Sequence, residues 1–461
     1  MRARRRLLPL VVLLGVLAAT TAGALANTGS PVHWGDAIKV PGTDALNVGG
    51  YASVTSVSCA GAGECAAGGF YWELSAESHA FVVSEQGGVW GTAIEVPGLA
   101  ALVGVSHTEV HTHVSSVSCG SPGNCAAGGF YWHDFVSHAF VVAEQGGVWG
   151  TAMKVPGMEA VYSVSCGGPD TCTALGSSDW AQRFVVSEHG GVWGPRRNIP
   201  GDVNSVSCGG VDSCVAVGST QDDNGVEHGF LVVERDGRWG NGQRVPGMWT
   251  LSAGSTSKVE SVSCTSPGNC AVAGHYLAGR RTFVFAMDER NGKWGRPITV
   301  RGVKGYAGWP PVSVTSVSCS SAGNCAAGGN VGPYPTQSFV VREIKGKWGW
   351  AIRVKGLPRL HAGDGSVTSV SCAGPGNCVA VGYYFSGTDN RGEAISPRAF
   401  AMTERNGAWG RAQRLRGLGP SVEANSVSCV RAGNCTIGGR SGGDGDPIAD
   451  TFERQAFVTA P

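Results

Sequence analysis

Charge is scarce in this chain. Lys, Arg, Asp and Glu make up 15% of 461 residues and the formal net charge is +1, so the basic footprint of a nucleic-acid or anionic-membrane partner is missing. Beyond the first 26 residues no stretch is long and apolar enough to span a bilayer. No helical periodicity runs along the chain, which argues against helix bundles and alternating helix and strand. No cysteine precedes Cys59, so cleavage near Ala26 would leave no acceptor for a lipid anchor.

What is present begins with a targeting signal. Residues 1–26 carry Arg2, Arg4, Arg5 and Arg6, an apolar run from Leu7 to Ala19, and Ala24-Leu25-Ala26 as a small-x-small cleavage site. They read as a signal peptide, and residues 27–461 as one domain, secreted and extracellular or cell-wall associated, with no membrane contact once the signal is removed. An uncleaved signal serving as an N-terminal anchor is the alternative.

The sequence Ser-Val-Ser-Cys, followed by five residues and a second Cys, occurs eight times. The pairs are Cys59/Cys65, Cys119/Cys125, Cys166/Cys172, Cys208/Cys214, Cys264/Cys270, Cys319/Cys325, Cys372/Cys378 and Cys429/Cys435, and they use all 16 cysteines. A period of roughly fifty residues is that of propeller blades. Each unit reads as four short strands, A to D, as in VTSVSC, CAAGGFY, HAFVVSEQ and VWGTAIEVPG. The first such Trp-Gly, Trp34-Gly35, has no A, B or C before it, whereas the last unit stops after C at Pro461. The expected fold is therefore an all-β, eight-bladed β-propeller of four-stranded antiparallel blades, closed by the N-terminal strand completing the last blade.

In an oxidising compartment each cysteine pair would form a disulfide across its own A–B hairpin. A loop this short contributes about 2 kcal/mol per bridge in the chain-entropy model. Zinc is the rival, but it wants four convergent ligands and shorter spacers. Small residues in A and B and bulky ones in C and D suit blades that converge on an axis and splay outward. The repeated Trp-Gly tryptophans, Trp34, Trp90, Trp149, Trp193, Trp239, Trp294, Trp348 and Trp409, are then packing between blades.

Strand alternation puts the A–B and C–D turns on one face and the B–C and D–A connections on the other. The first set is uniform in length and the second varies widely, so binding belongs on the varied face. Trp72, Trp132, Trp180, Trp249 and Trp309 all fall in or beside those varied connections and are the candidate ligand-binding residues; flat rings stack on sugar faces or anchor a protein. The alternative is that they pack the loops down.

Other clusters weigh less. His107, His111 and His113 with Glu109 could take a transition metal, against a simple solvated cluster. The stretches TQDDNGVE (220–227) and GGDGDPIAD (442–450) could take calcium, though acidic turns suffice. Seven glutamates, Glu85, Glu144, Glu188, Glu234, Glu289, Glu343 and Glu404, recur at one position of the C–D turn and read as a structural contact, since an active site needs an asymmetric set. No metal and no cofactor is expected.

The turns SEQGGVWG and DERNGKWG resemble a shortened, degenerate Asp-box, the Ser-x-Asp-x-Gly-x-x-Trp turn of BNR-repeat propellers. The unit as a whole is similar to repeats in secreted actinobacterial proteins. The resemblance implies a propeller and no particular activity; Gln86, Gln145, His189 or Arg replaces the Asp-box aspartate, and the Tyr/Phe-Arg-Ile-Pro motif of sialidases is missing. The expected function is a noncatalytic recognition module, carbohydrate-binding through its variable loops, acting as a monomer on an extracellular glycan or protein. The alternatives are a glycan-active hydrolase or lyase, with Asp134, Asp179, Asp222, Asp223, Asp389 and Asp450 available to form a carboxylate pair, and a structural extracellular protein. A quinone-cofactor dehydrogenase is disfavoured, because no two cysteines adjoin.

Overall fold

The computed structural model describes residues 34–75, 77–105, 109–178, 182–303, 306–307, 312–332, 336–356, 365–388, 394–417, 419, 421–442 and 454–461. Residues 1–26, together with His107, Asp179, Trp180, Trp309, Asp389 and Asp450, lie outside that set.

Eight antiparallel sheets follow one another along the chain, each in the order A-B-C-D. In blade 1 these are Ala52–Gly61, Glu64–Trp72, Ser78–Gln86 and a D strand in two pieces, Val89–Trp90 and Ile94–Glu95. The break in D follows the Trp-Gly step, where the chain leaves the ladder before rejoining it. Blade 8 is A Ser421–Arg431, B Asn434–Gly442 and C Arg454–Thr459, with its D strand, Ile38–Lys39, drawn from the other end of the chain. Ile38 pairs with Val458 and Lys39 with Phe457, antiparallel. The ring is thus an eight-bladed propeller closed without a covalent joint. Three single-turn helices, α1 (Thr43–Leu46), α2 (Leu99–Val103) and α3 (Met248–Ser252), were not expected; each follows a Val-Pro-Gly in a D–A connection and is too short to print a period.

The core is divided among the blade interfaces. One apolar cluster joins Val82, Val96 and Leu99 of blade 1 and its exit to Val114, Tyr131, Phe140 and Trp149 of blade 2. Another joins Val379 and Val381 of blade 7 to Leu415, Val422 and Ile437, with Trp34 packed against it. Two of the Trp-Gly tryptophans also hydrogen-bond to the preceding blade: Trp149 Nε1 donates to Ser84 Oγ at 2.9 Å and Trp348 Nε1 to Asp288 Oδ1 at 3.1 Å, whereas the buried indole nitrogens of Trp193, Trp239, Trp294 and Trp409 have no partner.

The repeated serines have a specific task. Strand A is innermost, so one of its edges faces the next blade with no strand to pair it. Ser56 Oγ accepts from Val117 N and Ser58 Oγ from Cys119 N of the next A strand, each at 3.0 Å. The pattern runs round the ring and closes where Val57 N and Cys59 N donate to Ser426 Oγ and Ser428 Oγ of blade 8, at 3.2 and 2.9 Å. Ser-Val-Ser-Cys therefore repeats because each unit satisfies the free amides of its successor.

All eight cysteine pairs are disulfide-bonded within their own hairpins, and no cysteine is free. The two cysteines of each pair differ in burial. The second cysteine of every pair, Cys65, Cys125, Cys172, Cys214, Cys270, Cys325, Cys378 and Cys435, is buried in strand B, whereas the first is half-buried except for Cys372, which is buried too. The strand B cysteines therefore belong to the core and form no part of a ligand-accessible site. The cause is the alternation of strand B, which turns each of them toward the preceding blade: Cys65 Sγ lies 3.4 Å from Thr436 Oγ1 of blade 8, and Cys214 Sγ 3.7 Å from Thr173 Oγ1 of blade 3. The bridge sulfurs thus serve as small apolar packing as well as cross-links.

On the same face the C–D hairpin turns through two residues of positive φ, Gly87 and Gly88 in blade 1 and Asn291 and Gly292 in blade 5, as a type I′ turn requires. The A–B turn touches it: Gly88 N donates to Gly63 O at 2.9 Å. A Cβ on Gly63 would lie 2.5 Å from Gly88 N, so glycine is required there.

Glu144, Glu188, Glu234, Glu289, Glu343 and Glu404 are buried beside these turns. Glu188 stands between Cys172 of strand B and Trp193 of strand D. Several reach the preceding blade: Arg235 Nη2 binds Glu289 Oε1 at 3.1 Å and Arg290 Nη2 binds Glu343 Oε1 at 3.0 Å. Burial pushes the Glu188, Glu234 and Glu404 carboxyls up to about 7. Their recurrence is a structural contact between strands and blades.

Candidate functional site

On the opposite face the B–C and D–A connections hydrogen-bond to each other, as in Ser78 N to Val110 O and Trp132 N to His111 O, both 2.9 Å. In blade 1, Tyr51 opens the entry to strand A, while Phe70 and Trp72 lie on one side of strand B and Tyr71, 1% exposed, on the other. In blade 2 the A strand is Thr112–Ser121 and the B strand is Asn124–His133. His111 and His113 precede and enter the first, and Phe130 and Trp132 occupy the second in the places of Phe70 and Trp72.

These side chains form one continuous band. Tyr51 lies 5.6 Å from Phe70 and 5.5 Å from Trp72 by ring centroids. Phe70 stacks on His113 at 3.9 Å, and His113 on Phe130 at 5.0 Å. His111 stands 6.5 Å from Trp72 and 6.3 Å from Trp132, joining the two indoles. At the blade 8 end the Arg440 and Arg454 guanidinium carbons sit 5.8 and 5.1 Å from the Tyr51 centroid, and Arg440 is ion-paired with Glu423 at 2.7 Å.

Burial, with a smaller contribution from His111, pulls the His113 imidazole down to about 4. It is therefore neutral near pH 7 and acts as a flat ring. Its Nε2 lies 3.0 Å from Ser78 Oγ, which also lies 3.3 Å from His111 Nδ1. The two histidines do share a strand face, but a solvated cluster is not what forms: packing between Phe70 and Phe130 makes His113 part of the aromatic wall.

The band is accessible, and its surroundings are apolar. Trp132 is 40% exposed, while Leu74, Val105 and Phe135 in the neighbouring loops are each at least 80% exposed. Trp72 is half-buried, and its indole nitrogen has no hydrogen-bond partner.

The structure thus joins Trp72 to Trp132. Trp249 stands apart: it lies in α3, 67% exposed, with its ring 6.4 Å from His228. Tyr51, Phe70, Phe130 and Arg440 belong to the band and were missed, and His113 was singled out only as a possible metal ligand. A signal for some of them existed, because Phe-Tyr-Trp stands at 70–72 and again at 130–132, where blades 3 and 4 carry Ser177 and Ser219.

The acidic stretch at 220–227 is a turn. Asp222 accepts from Asn224 N at 2.9 Å and Val226 N at 3.0 Å and lies 2.9 Å from His228 Nε2. The His228 bond foremost, then these amides, hold its carboxyl below the usual range. Asp134 stands in the blade 2 B–C turn at positive φ, 3.3 Å from His133 Nε2.

No family model and no curated protein matches the chain. Among solved structures, the Dos1 propeller is similar at 10% identity with a TM-score of 0.52, covering 92% of this chain and 94% of its own. Sqt1 of Chaetomium thermophilum is similar at 11% identity with a TM-score of 0.50, covering 92% and 97%. Identities this low speak for the fold alone, and the fold they share with this chain is the β-propeller.

Proposed function

We propose that the protein is a secreted, noncatalytic recognition module that binds carbohydrate across the aromatic band of blades 8, 1 and 2. The observation that carries this reading is the continuity of the band: two indoles, two phenyl rings, a phenol and two imidazoles form one run of ring contacts on the varied face. Sugar rings present flat C–H faces that stack on such surfaces, while hydroxyls need hydrogen-bonding groups at the edge. Arg440 and Glu423, ion-paired and partly exposed at the blade 8 end, supply those groups. We read the C–D hairpin as a degenerate Asp-box and residues 1–26 as a signal peptide; eight disulfides fit an oxidising compartment.

The test is a binding and turnover screen of the full oxidised chain against cell-wall and plant polysaccharides, with soluble products read by mass spectrometry. Binding without new products is expected, weakened at least tenfold by Trp132→Ala with no change in melting temperature. Release of shortened chains would overturn the noncatalytic reading. Binding untouched by both Trp72→Ala and Trp132→Ala would overturn the site, and capture of a protein in place of any glycan would overturn the ligand class.

A further inference from the structure

Beside the band, the five-residue loop between strands B and C of blade 1 brings Glu73, Glu77 and His79 together. One ligand atom from each lies within 4.8 Å of the other two, a convergence found once among the described residues. We propose that these three side chains bind a first-row divalent metal ion of the zinc class, independently of any glycan bound by the aromatic band.

Four observations support it. The His79 Nε2 atom is buried and has no hydrogen-bond partner; the nearest carboxylate oxygen, Glu73 Oε1, is 3.6 Å away. A buried imidazole nitrogen left unmatched is costly unless a proton or an ion fills the gap. No lysine or arginine is ion-paired with Glu73 or Glu77 among the described residues, so two carboxylates face one imidazole without a cation.

The loop is also set in advance. Glu73 N donates to Glu77 O at 2.9 Å, closing it. Ser75 Oγ and Val110 N donate to the two Glu77 oxygens at 3.2 and 3.3 Å, which fixes that carboxylate as outer groups fix metal ligands elsewhere. His79 lies against the Tyr71 ring at 5.4 Å with 22° between planes. One imidazole and two carboxylates suit zinc or manganese, and the nitrogen donor argues against calcium.

Blade 2 supplies an internal control. His138 lies against Tyr131 at 5.2 Å, repeating the blade 1 pair, but its shorter loop carries His133 and Val136 where blade 1 has Glu73 and Glu77. The ring contact is therefore common to both blades and the carboxylates are special to one.

The experiment is isothermal titration of Zn²⁺ into the full oxidised, chelator-stripped chain, with Glu77→Gln, His79→Ala and His138→Ala alongside, and Co²⁺ absorption as a spectroscopic check. One ion per chain is expected, with affinity about tenfold or more weaker in Glu77→Gln and His79→Ala and unchanged in His138→Ala. If His79→Ala disturbs folding, Glu77→Gln decides. Less than one equivalent bound by the wild type, or equal affinity in Glu77→Gln, overturns the proposal. The titration contains no glycan, so its failure leaves the carbohydrate reading standing.

Discussion

Each blade has two ends built under opposite constraints. At the turn end, the Gly63 carbonyl meets Gly88 N, the buried glutamates sit between Cys and Trp, and a disulfide closes every A–B hairpin. These contacts are met again in successive blades, with Asp170 and Asp212 in the place of Gly63 in blades 3 and 4, so the same pattern recurs along the ring. At the loop end, Phe70, Phe130 and His113 meet in blades 1 and 2, while Ser177 and Ser219 hold the neighbouring places in blades 3 and 4. Repetition marks what the ring needs in order to close, and departure from the repeat marks what one sector can recognise. Substitutions at the turn end should therefore cost stability alone, and those at exposed positions of the loop end should cost binding more than stability.

The largest effect should come from opening the ring. A chain begun at Thr43 loses Ile38–Lys39 from the edge of blade 8, and Val40 and Ala37 from the cores between blades 8 and 1 and between blades 7 and 8. Burial of these side chains and of Trp34 stabilises by on the order of 5 kcal/mol, and the bared C strand becomes a template for aggregation. Thermal unfolding should shift sharply downward and depend on concentration; an unshifted, monomeric truncation would contradict noncovalent closure.

Next is the inner ring of serines. Ser118→Ala leaves Cys166 N, now 3.0 Å from Ser118 Oγ, without its acceptor. The expected loss is about 1–3 kcal/mol, read as a lower urea midpoint, with binding to any ligand of the loop face unchanged. A loss below about 0.5 kcal/mol would mean that water replaces the hydroxyl.

A smaller effect, with a definite sign, belongs to the buried glutamates. Burial, helped by Asp170, raises the Glu188 carboxyl from 4.5 to about 7 in the fold. The native state therefore holds a proton that the unfolded chain releases earlier, and this contribution to stability, complete below about pH 4.5, is lost as pH rises through 7. Glu234 and Glu404, each at about 7, act in the same direction. The urea midpoint should fall between about pH 5 and pH 8, and Glu188→Gln should flatten part of that slope. A midpoint that rises over this range would show the carboxylates to be matched by charge.

The two ends also differed in how far the sequence revealed them. Blade number, closure by Trp34-Gly35 and the cysteine pairing were legible because each depends on a pattern that recurs at a fixed period. The burial of Cys65 and its counterparts was less so, because a five-residue spacer reads as a surface turn and covering side chains come from the preceding blade. The role of Ser56 and Ser58 was hidden for the same reason, since their partners, Val117 N and Cys119 N, lie a whole blade away. Trp72 and Trp132 were singled out from their place in the loops, but their junction through Tyr51, Phe70 and the two histidines depends on three blades meeting, which no local pattern records. Glu73, Glu77 and His79 went unnoticed for a related reason: an i, i+4, i+6 spacing converges only in a closed loop, and it resembles no helical or strand motif.

The smallest stability effect should be at Trp132, and it sharpens the comparison most. The side chain is 40% exposed, and its recorded ring contact is with His111 at 6.3 Å, so Trp132→Ala should move the melting temperature by less than Ser118→Ala does. Surface substitutions of this kind cost about 0.5 kcal/mol or less. Removing one stacking platform should nonetheless weaken glycan binding at least tenfold, the behaviour of an anchor residue. Trp72→Ala is the harder case, because the half-buried indole also touches Tyr51 at 5.5 Å and should cost both stability and binding. If Trp132→Ala destabilised the chain as much as Ser118→Ala while binding stayed intact, the aromatic band would be packing, and the division of labour between the two ends would fail at the one place where it predicts function.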